Sequence, residues 1–248
     1  MTVMHGYRPD TYGESFADVY DAWYRDVSDI DATVAHIARL AADGTVLELG
    51  VGTGRLALPL AEAGARVVGI DSSRSMIERL MSKPRSRAVP VVLGDMAELP
   101  FDADRFSVAF AAFNTFFNLT TVEAQQRCAT RLADVICKGG RLVIEAFNPP
   151  TEGLSDGGTS VRDITIDSAV LTVSKHDPAG QRIVGHHIEI TSAGVRMRPW
   201  ALRYLTPEQL DDLMRDAGFV LESRSGGWRG EPFDPTGDIH VSTYLSPG

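Results

Sequence analysis

Residues 45–56 run from a short apolar stretch, through glycines at every second position, into a helical pattern. Gly50, Gly52 and Gly54 give G-x-G-x-G. Glycine alone reaches positive φ at no steric cost and lets another group approach the backbone closely. A turn of this kind that opens into a helix presents free N–H groups and a partial positive charge. A ligand with an anionic or polar group is therefore expected here. A dinucleotide fingerprint would need G-x-G-x-x-G, and Arg55 stands where its last glycine would be. Glu48, two residues before Gly50, lies outside that fingerprint. A carboxylate there suits a cationic ligand group.

The rest of the chain places this turn inside a larger pattern. Tyr12 to Asp26 reads as one helix, with Phe16, Val19, Tyr20, Trp23 and Tyr24 on a single face. Phe16 and Val19 are expected to pack on the core. Tyr20 and Tyr24, one turn apart, either join them or form an aromatic lid over a ligand. Ser28 or Asp29 caps a second helix that Gly44 ends. After the glycine turn comes 65–71, an apolar strand ending in Asp71, which lies 21 residues after Gly50. An acid there accepts hydrogen bonds from ribose hydroxyls, and the alternative is a helix cap that Ser72 could also supply. Strands follow at 90–96, with Asp95 near its end, and at 106–112, which leads into Phe113. Thr120 and Glu123 read as a capping box for a helix that Gly139 and Gly140 stop, and 141–146 is a fifth strand. Strands alternating with helices predict a doubly wound, mostly parallel α/β sheet, whose ligands bind beyond the carboxyl ends of the strands. Glu48, Gly50, Asp71, Asp95, Phe113 and Glu145 all fall there.

After residue 150 the period changes from helical to two. A Gly/Ser/Asp-rich loop to Ser160 precedes strands at 161–166, 169–175, 182–191 and 195–205. This predicts a small antiparallel sheet, 151–205, inserted into a core formed by 1–150 and 206–248. Thr206-Pro207-Glu208-Gln209 is a capping box with proline at the first helical position. Two strands, 219–223 and 239–245, end the chain, giving seven strands in the main sheet.

Composition narrows the function. Of 248 residues, 44% are hydrophobic and 23% charged, as in a globular protein. No apolar run approaches a membrane span, and residues 1–10 lack the apolar core of a signal peptide. Two cysteines, Cys128 and Cys137, point to a reducing cytoplasm. The net charge of −9 argues against nucleic acid, and the basic run 83–87 reads as a solvated loop. No His/Cys/Asp spacing suits a metal. The oligomeric state stays open, a homodimer being one assembly.

Taken together, V-L-E-L-G-V-G-T-G, V-V-G-I-D, G-D-M and K-G-G-R-L-V-I-E resemble the class I S-adenosylmethionine-dependent methyltransferases. Residues 17–24 and the inserted sheet resemble members that methylate small natural products, amino-sugar N,N-dimethyltransferases among them. The resemblance implies a Rossmann-like fold with S-adenosyl-L-methionine as cofactor. It implies that Gly50, Gly52 and Gly54 lie beside the methionyl group and ribose. Glu48 would orient the ammonium, Asp71 the ribose, and Asp95 and Met96 the adenine. Ala112 and Phe113 would border the methionyl group, and Tyr20 and Tyr24 would close the site. Ser72 and Met76 complete the expected cofactor-binding set.

The expected reaction is in-line methyl transfer to N or O of a small molecule. An amine acceptor needs no strong base, whereas a hydroxyl acceptor does. Tyr24, His186 and His187 are the expected catalytic residues, with His176 and Glu145 as further base candidates. Arg203, Tyr204, Trp228 and His240 are candidate acceptor contacts. His186 and His187 fall on opposite faces of one strand, where either could equally be a packing or surface histidine. The alternatives are an RNA or protein methyltransferase, a non-catalytic binding module, and a nicotinamide oxidoreductase. Arg55 and the absence of a Tyr-x-x-x-Lys pair count against the last.

Overall fold

The computed structural model describes residues 4–25, 27–149 and 157–246. The N-terminal region holds α1 (Thr11–Phe16), α2 (Tyr20–Trp23) and α3 (Ile30–Ala41). Next come β1 (Thr45–Leu49), α4 (Ala57–Glu62), β2 (Arg66–Asp71), α5 (Arg74–Met81), β3 (Val91–Leu93) and β4 (Phe106–Ala111). α6 (Val122–Val135) leads into β5 (Ile136–Phe147). β6 (Gly157–Ile164), β7 (Ser168–Asp177), β8 (Arg182–Thr191) and β9 (Gly194–Arg203) precede α7 (Pro207–Asp216), β10 (Val220–Ser225) and β11 (Ile239–Leu245).

The main sheet has the order β10-β11-β5-β4-β1-β2-β3. It is parallel except for β11, which runs antiparallel to both neighbours. β4 is buried along nearly its whole length because helices cover both faces of the sheet. One face packs α6 and α7 around Leu47, Leu142 and Tyr244, and the other packs α3 and α4 around Val46, Phe110 and Val143. β6-β7-β8-β9 form a separate antiparallel sheet, as the period-two pattern predicts. The expected start of that insertion, at 151, lies outside the described residues.

Local chemistry accounts for several element ends. The Asp29 carboxylate accepts from Ala32 N and caps α3. Thr206 and Gln209 form the reciprocal capping box at α7 in full. Such a cap contributes about 0.5–2 kcal/mol.

Four expectations are corrected. The single helix over 12–26 is two short helices with a bend at 17–19, and Asp26 lies outside the described residues. The bend lets Trp23 and Tyr24 fold back onto Phe16 at ring distances of 6.2 and 6.5 Å, a convergence that a straight stripe does not provide. α6 is capped by Thr121, which accepts from Ala124 N, and not by Thr120. Gly139 and Gly140 do not stop α6, because the chain extends directly into β5 at Ile136. The glycines form an irregularity within β5, where a Cβ on Gly140 would stand 2.8 Å from the Ser107 carbonyl. β3 has three residues where seven were expected.

Candidate active site

The carboxyl ends of β1 to β4 open onto a cavity of about 420 Å³. Gly50, Gly52 and Asp71 form its floor, and Met96, Phe113 and Asn114 one wall. Tyr7, Tyr12 and Tyr20 cover it, and Trp200 and Leu202 of β9 close the far side.

The floor is built by the glycine turn. Gly50 has φ +63, and a Cβ on it would stand 2.5 Å from Thr115 Cγ2, so glycine is required there. Asp71 fixes the turn from β2. Its Oδ2 accepts from Gly52 N and its Oδ1 from Ser73 N, both at 2.8 Å. Each oxygen keeps further acceptor capacity for a ligand hydroxyl. Burial pushes the Asp71 carboxyl up, against these donors. Ser73, not Ser72, caps α5, accepting from Met76 N. Ser72 Oγ instead donates to the Pro9 carbonyl at 2.9 Å, tying the N-terminal arm to the cavity rim. Asp95 accepts from Ala97 N at 2.8 Å, which sets the turn that presents Met96.

Glu48 is 5% exposed, and its Oε2 has no partner among the described residues. Burial pushes its carboxyl up to about 8, with Arg55 opposing and Asp71 adding to the rise. A buried acid with an unmatched oxygen is suited to a cation. Glu48 does not itself line the cavity; the glycine cradle and Asp71 do, and they fit an adenosine-bearing ligand.

The cavity also receives Ser72, Met76 and Asp95 from the expected set. Gly54 does not reach it. A Cβ there would stand 2.9 Å from Leu80 Cγ, so its role is close packing of the turn on α5. Ala112 is buried behind Phe113. Tyr20 lines the cavity, whereas Tyr24 sits behind it, 4.8 Å from Tyr20 and 5.7 Å from Phe113, ring to ring.

The histidines expected to act as bases are elsewhere. His186 is paired with Val173 and Pro199 on the face of the antiparallel sheet opposite Trp200. His187 is on the inner face but is packed against Phe16, Trp23 and Trp200, with Nδ1 2.9 Å from Thr172 Oγ1. Burial, then Arg162 and Arg198, lower its pKa to about 4. His176 bonds Tyr204 Oη at 2.8 Å, and His240 bonds Ser242 Oγ at 2.8 Å, both away from the cavity. Arg203 bonds Gln125, and Trp228 is buried in the core under α3.

Sequence reasoning gave Tyr7 no role, and it placed Tyr12 at the start of the N-terminal helix without assigning it to the cavity. Gly13 was the available signal. A Cβ there would stand 2.3 Å from Ser73 Cβ, so glycine lets α1 lie against α5. Three acids clasp this aromatic cover. Glu14 accepts from Ser73 Oγ and from Ser75 N and Oγ. Asp18 pairs with the buried Arg198, and Asp21 with Lys83 and Thr53. Burial opposes their ionisation, but these donors outweigh it and hold all three carboxyls below their usual range. No group of three or more metal-ligating side chains occurs among the described residues.

Comparison with known proteins agrees with this geometry. A methyltransferase domain family matches residues 46–140. The Cypemycin N-terminal methyltransferase of a Streptomyces species is 30% identical over 231 residues, 91% of this chain and 93% of that relative. The CcbJ methyltransferase from Streptomyces caelestis has 37% identity and a TM-score of 0.90, covering 98% of this chain and 100% of its own. The sugar N-methyltransferase KedS8 from Streptoalloteichus shares the fold at 21% identity and a TM-score of 0.68, covering 97% and 98%. The chain belongs to the S-adenosylmethionine-dependent methyltransferase family. It is an enzyme of that class, with S-adenosyl-L-methionine as its methyl donor.

Proposed function

We propose that this enzyme methylates an amine nitrogen of a small, natural-product-like molecule. The observation that carries the choice of nitrogen is the cavity wall. Among the described residues it contains no histidine, lysine, cysteine or glutamate, and its acids, Asp71 and Asp95, are taken by the ribose and adenine in this reading, while Tyr12, Tyr20, Phe113 and Trp200 face the space near Gly50. Burial holds the Tyr12 hydroxyl well above its ordinary value and Tyr20 at about 12, so both stay neutral near pH 7. A hydroxyl acceptor would need a base beyond the two acids that the cofactor takes, whereas a neutral amine already carries its lone pair. The relative named for methylating an N-terminus supports the same choice.

When bound, S-adenosylmethionine supplies a reactive methyl on a sulfonium. The protein's part is to bind, orient and exclude water. Asp71 takes the ribose hydroxyls, Asp95 and Met96 the adenine, and Glu48 the ammonium. Phe113 borders the methionyl end. The Tyr12 and Tyr20 hydroxyls accept from the acceptor's N–H, aiming its lone pair at the methyl. The clasped aromatic helices keep water out.

The test is a labelled-donor assay on matched amines and alcohols built on the same scaffolds. Label transferred to amines supports the proposal, and label on the alcohols alone overturns the choice of nitrogen.

The reading includes a homodimer working in the cytoplasm without nucleic acid. The net charge of −9 disfavours a polyanion, and both cysteines are free. Leu171, Ile188 and Met197 form one row across the outer face of the antiparallel sheet, and Ala169, Ile190 and Val195 the next. Met197 is 55% and Val195 66% exposed, and a patch without charge suits its own copy. Light scattering should give a dimer that Met197→Glu dissociates; a monomeric wild type would remove this part.

A further inference from the structure

We infer that Glu145 is a positioning residue for methyl transfer, clamping the turn at Phe113–Asn114 that borders the cavity. The inference rests on the proposed cofactor site. β4 ends at Ala111, and soon after it Phe113 and Asn114 take φ +49 and +62 in succession. Residues with a Cβ avoid this region. Such residues are strained and persist when their surroundings enforce them.

The turn closes on itself through Thr115 N, which donates to the Ala112 carbonyl at 3.1 Å, and Glu145 supplies two further hydrogen bonds. Its Oε2 accepts from Phe113 N at 2.6 Å, and its carbonyl accepts from Asn114 N at 3.2 Å. Asn114 Oδ1 then accepts from Phe147 N at 2.7 Å, closing the turn against β5. The turn places the Phe113 ring edge-on to Tyr24 and 5.7 Å from the Arg55 guanidinium. It also delivers Thr115, whose methyl occupies the space beside Gly50. One carboxyl thus sets the spacing between the glycine turn and the end of β4, the gap in which the methionyl group is proposed to lie.

Glu145 acts through Phe113 and not on the acceptor, since it is 4% exposed and does not line the cavity. Burial also pushes its carboxyl up, against the Phe113 N–H donor. The required feature is an oxygen at the right reach, whatever its charge. Glutamine keeps that oxygen and loses the charge. Aspartate keeps the charge and draws it back by one methylene.

The experiment compares wild type, Glu145→Gln and Glu145→Asp by calorimetric titration with S-adenosylhomocysteine and by steady-state kinetics across pH. Glu145→Gln should bind within about threefold of wild type, with an unchanged pH profile. Glu145→Asp should bind at least tenfold more weakly, with KM for the donor rising more than kcat falls. Aspartate binding like wild type while glutamine fails would overturn the inference, because the charge would then be the required feature. Both variants binding like wild type would overturn it as well. A folded wild type that binds no S-adenosylhomocysteine would instead remove the site reading beneath it. Thermal melts of all three establish that each is folded.

Discussion

The Gly52 backbone N–H donates to Asp71 Oδ2 at 2.8 Å, joining the glycine turn of β1 to the end of β2. One side chain therefore shapes the turn and offers its remaining lone pairs to a ligand. In Asp71→Asn, an NH2 group must face either the Gly52 or the Ser73 N–H. A buried donor left unpaired costs about 1–3 kcal/mol. Urea denaturation should show a loss in that range, and wild-type stability would mean that the turn holds itself.

Glu48 should couple cofactor binding to proton release. Its carboxyl titrates at about 8, so at pH 7 it is mainly neutral until a cation arrives. Binding of an ammonium beside it favours the ionised form. Titrations with S-adenosylhomocysteine in buffers of different ionisation enthalpy should show release approaching one proton at pH 7 and much less at pH 9. Glu48→Gln should abolish the release. The same raised value means that, without ligand, Glu48 lowers stability progressively as pH rises from about 4.5 to 8, since the unfolded chain ionises first.

The sheet and glycine turn were legible in the sequence because burial on both faces leaves continuous apolar runs such as 106–111, and capping chemistry is local, as at Thr206. β8 and β11 match their expected bounds, β8 through its period-two pattern. The lid was only half legible. A 3.6-residue period locates Phe16, Tyr20 and Trp23 on one stripe, but it carries no signal for the bend at 17–19. Alternation separated His186 from His187, yet which face turned inward depended on docking against α1. Tyr7 reaches the cavity rim through a hydrogen bond from Ala201 N, whereas Tyr12 lies one turn before Phe16 within α1. A contact as distant in sequence as that of Tyr7 leaves no local pattern.

His187 should behave as a packing residue whose protonation opposes folding. Its ordinary value of 6.5 falls to about 4 in the fold, so the unfolded chain binds the extra proton between those values. The stability it supplies is present above pH 6.5 and is lost as pH falls toward 4, by at most about 1.4 kcal/mol per pH unit. His187→Gln should therefore destabilise more at pH 7 than at pH 5, with the pH dependence of kcat unchanged. An altered kcat profile would return His187 to the chemistry.

Tyr20 and Tyr24 are neighbours with rings tilted by 36°, one on the cavity and one behind it. Loss of one hydroxyl hydrogen bond costs about 0.5–1.5 kcal/mol, or roughly tenfold in rate at the upper end. Tyr20→Phe should lower kcat/KM by about that factor, whereas Tyr24→Phe should change it by less than about threefold. Equal losses would place both hydroxyls in the reaction.

The proposed methyl-donor site is the cavity between the glycine turn and the aromatic cover. Calorimetric titration of wild type and Asp71→Ala with S-adenosylhomocysteine tests it most directly. The predicted result is one site per chain in the wild type, with affinity at least tenfold weaker in the variant. A folded wild type that binds no S-adenosylhomocysteine, or an Asp71→Ala variant that binds it equally well, would mean that this cavity is not the donor site.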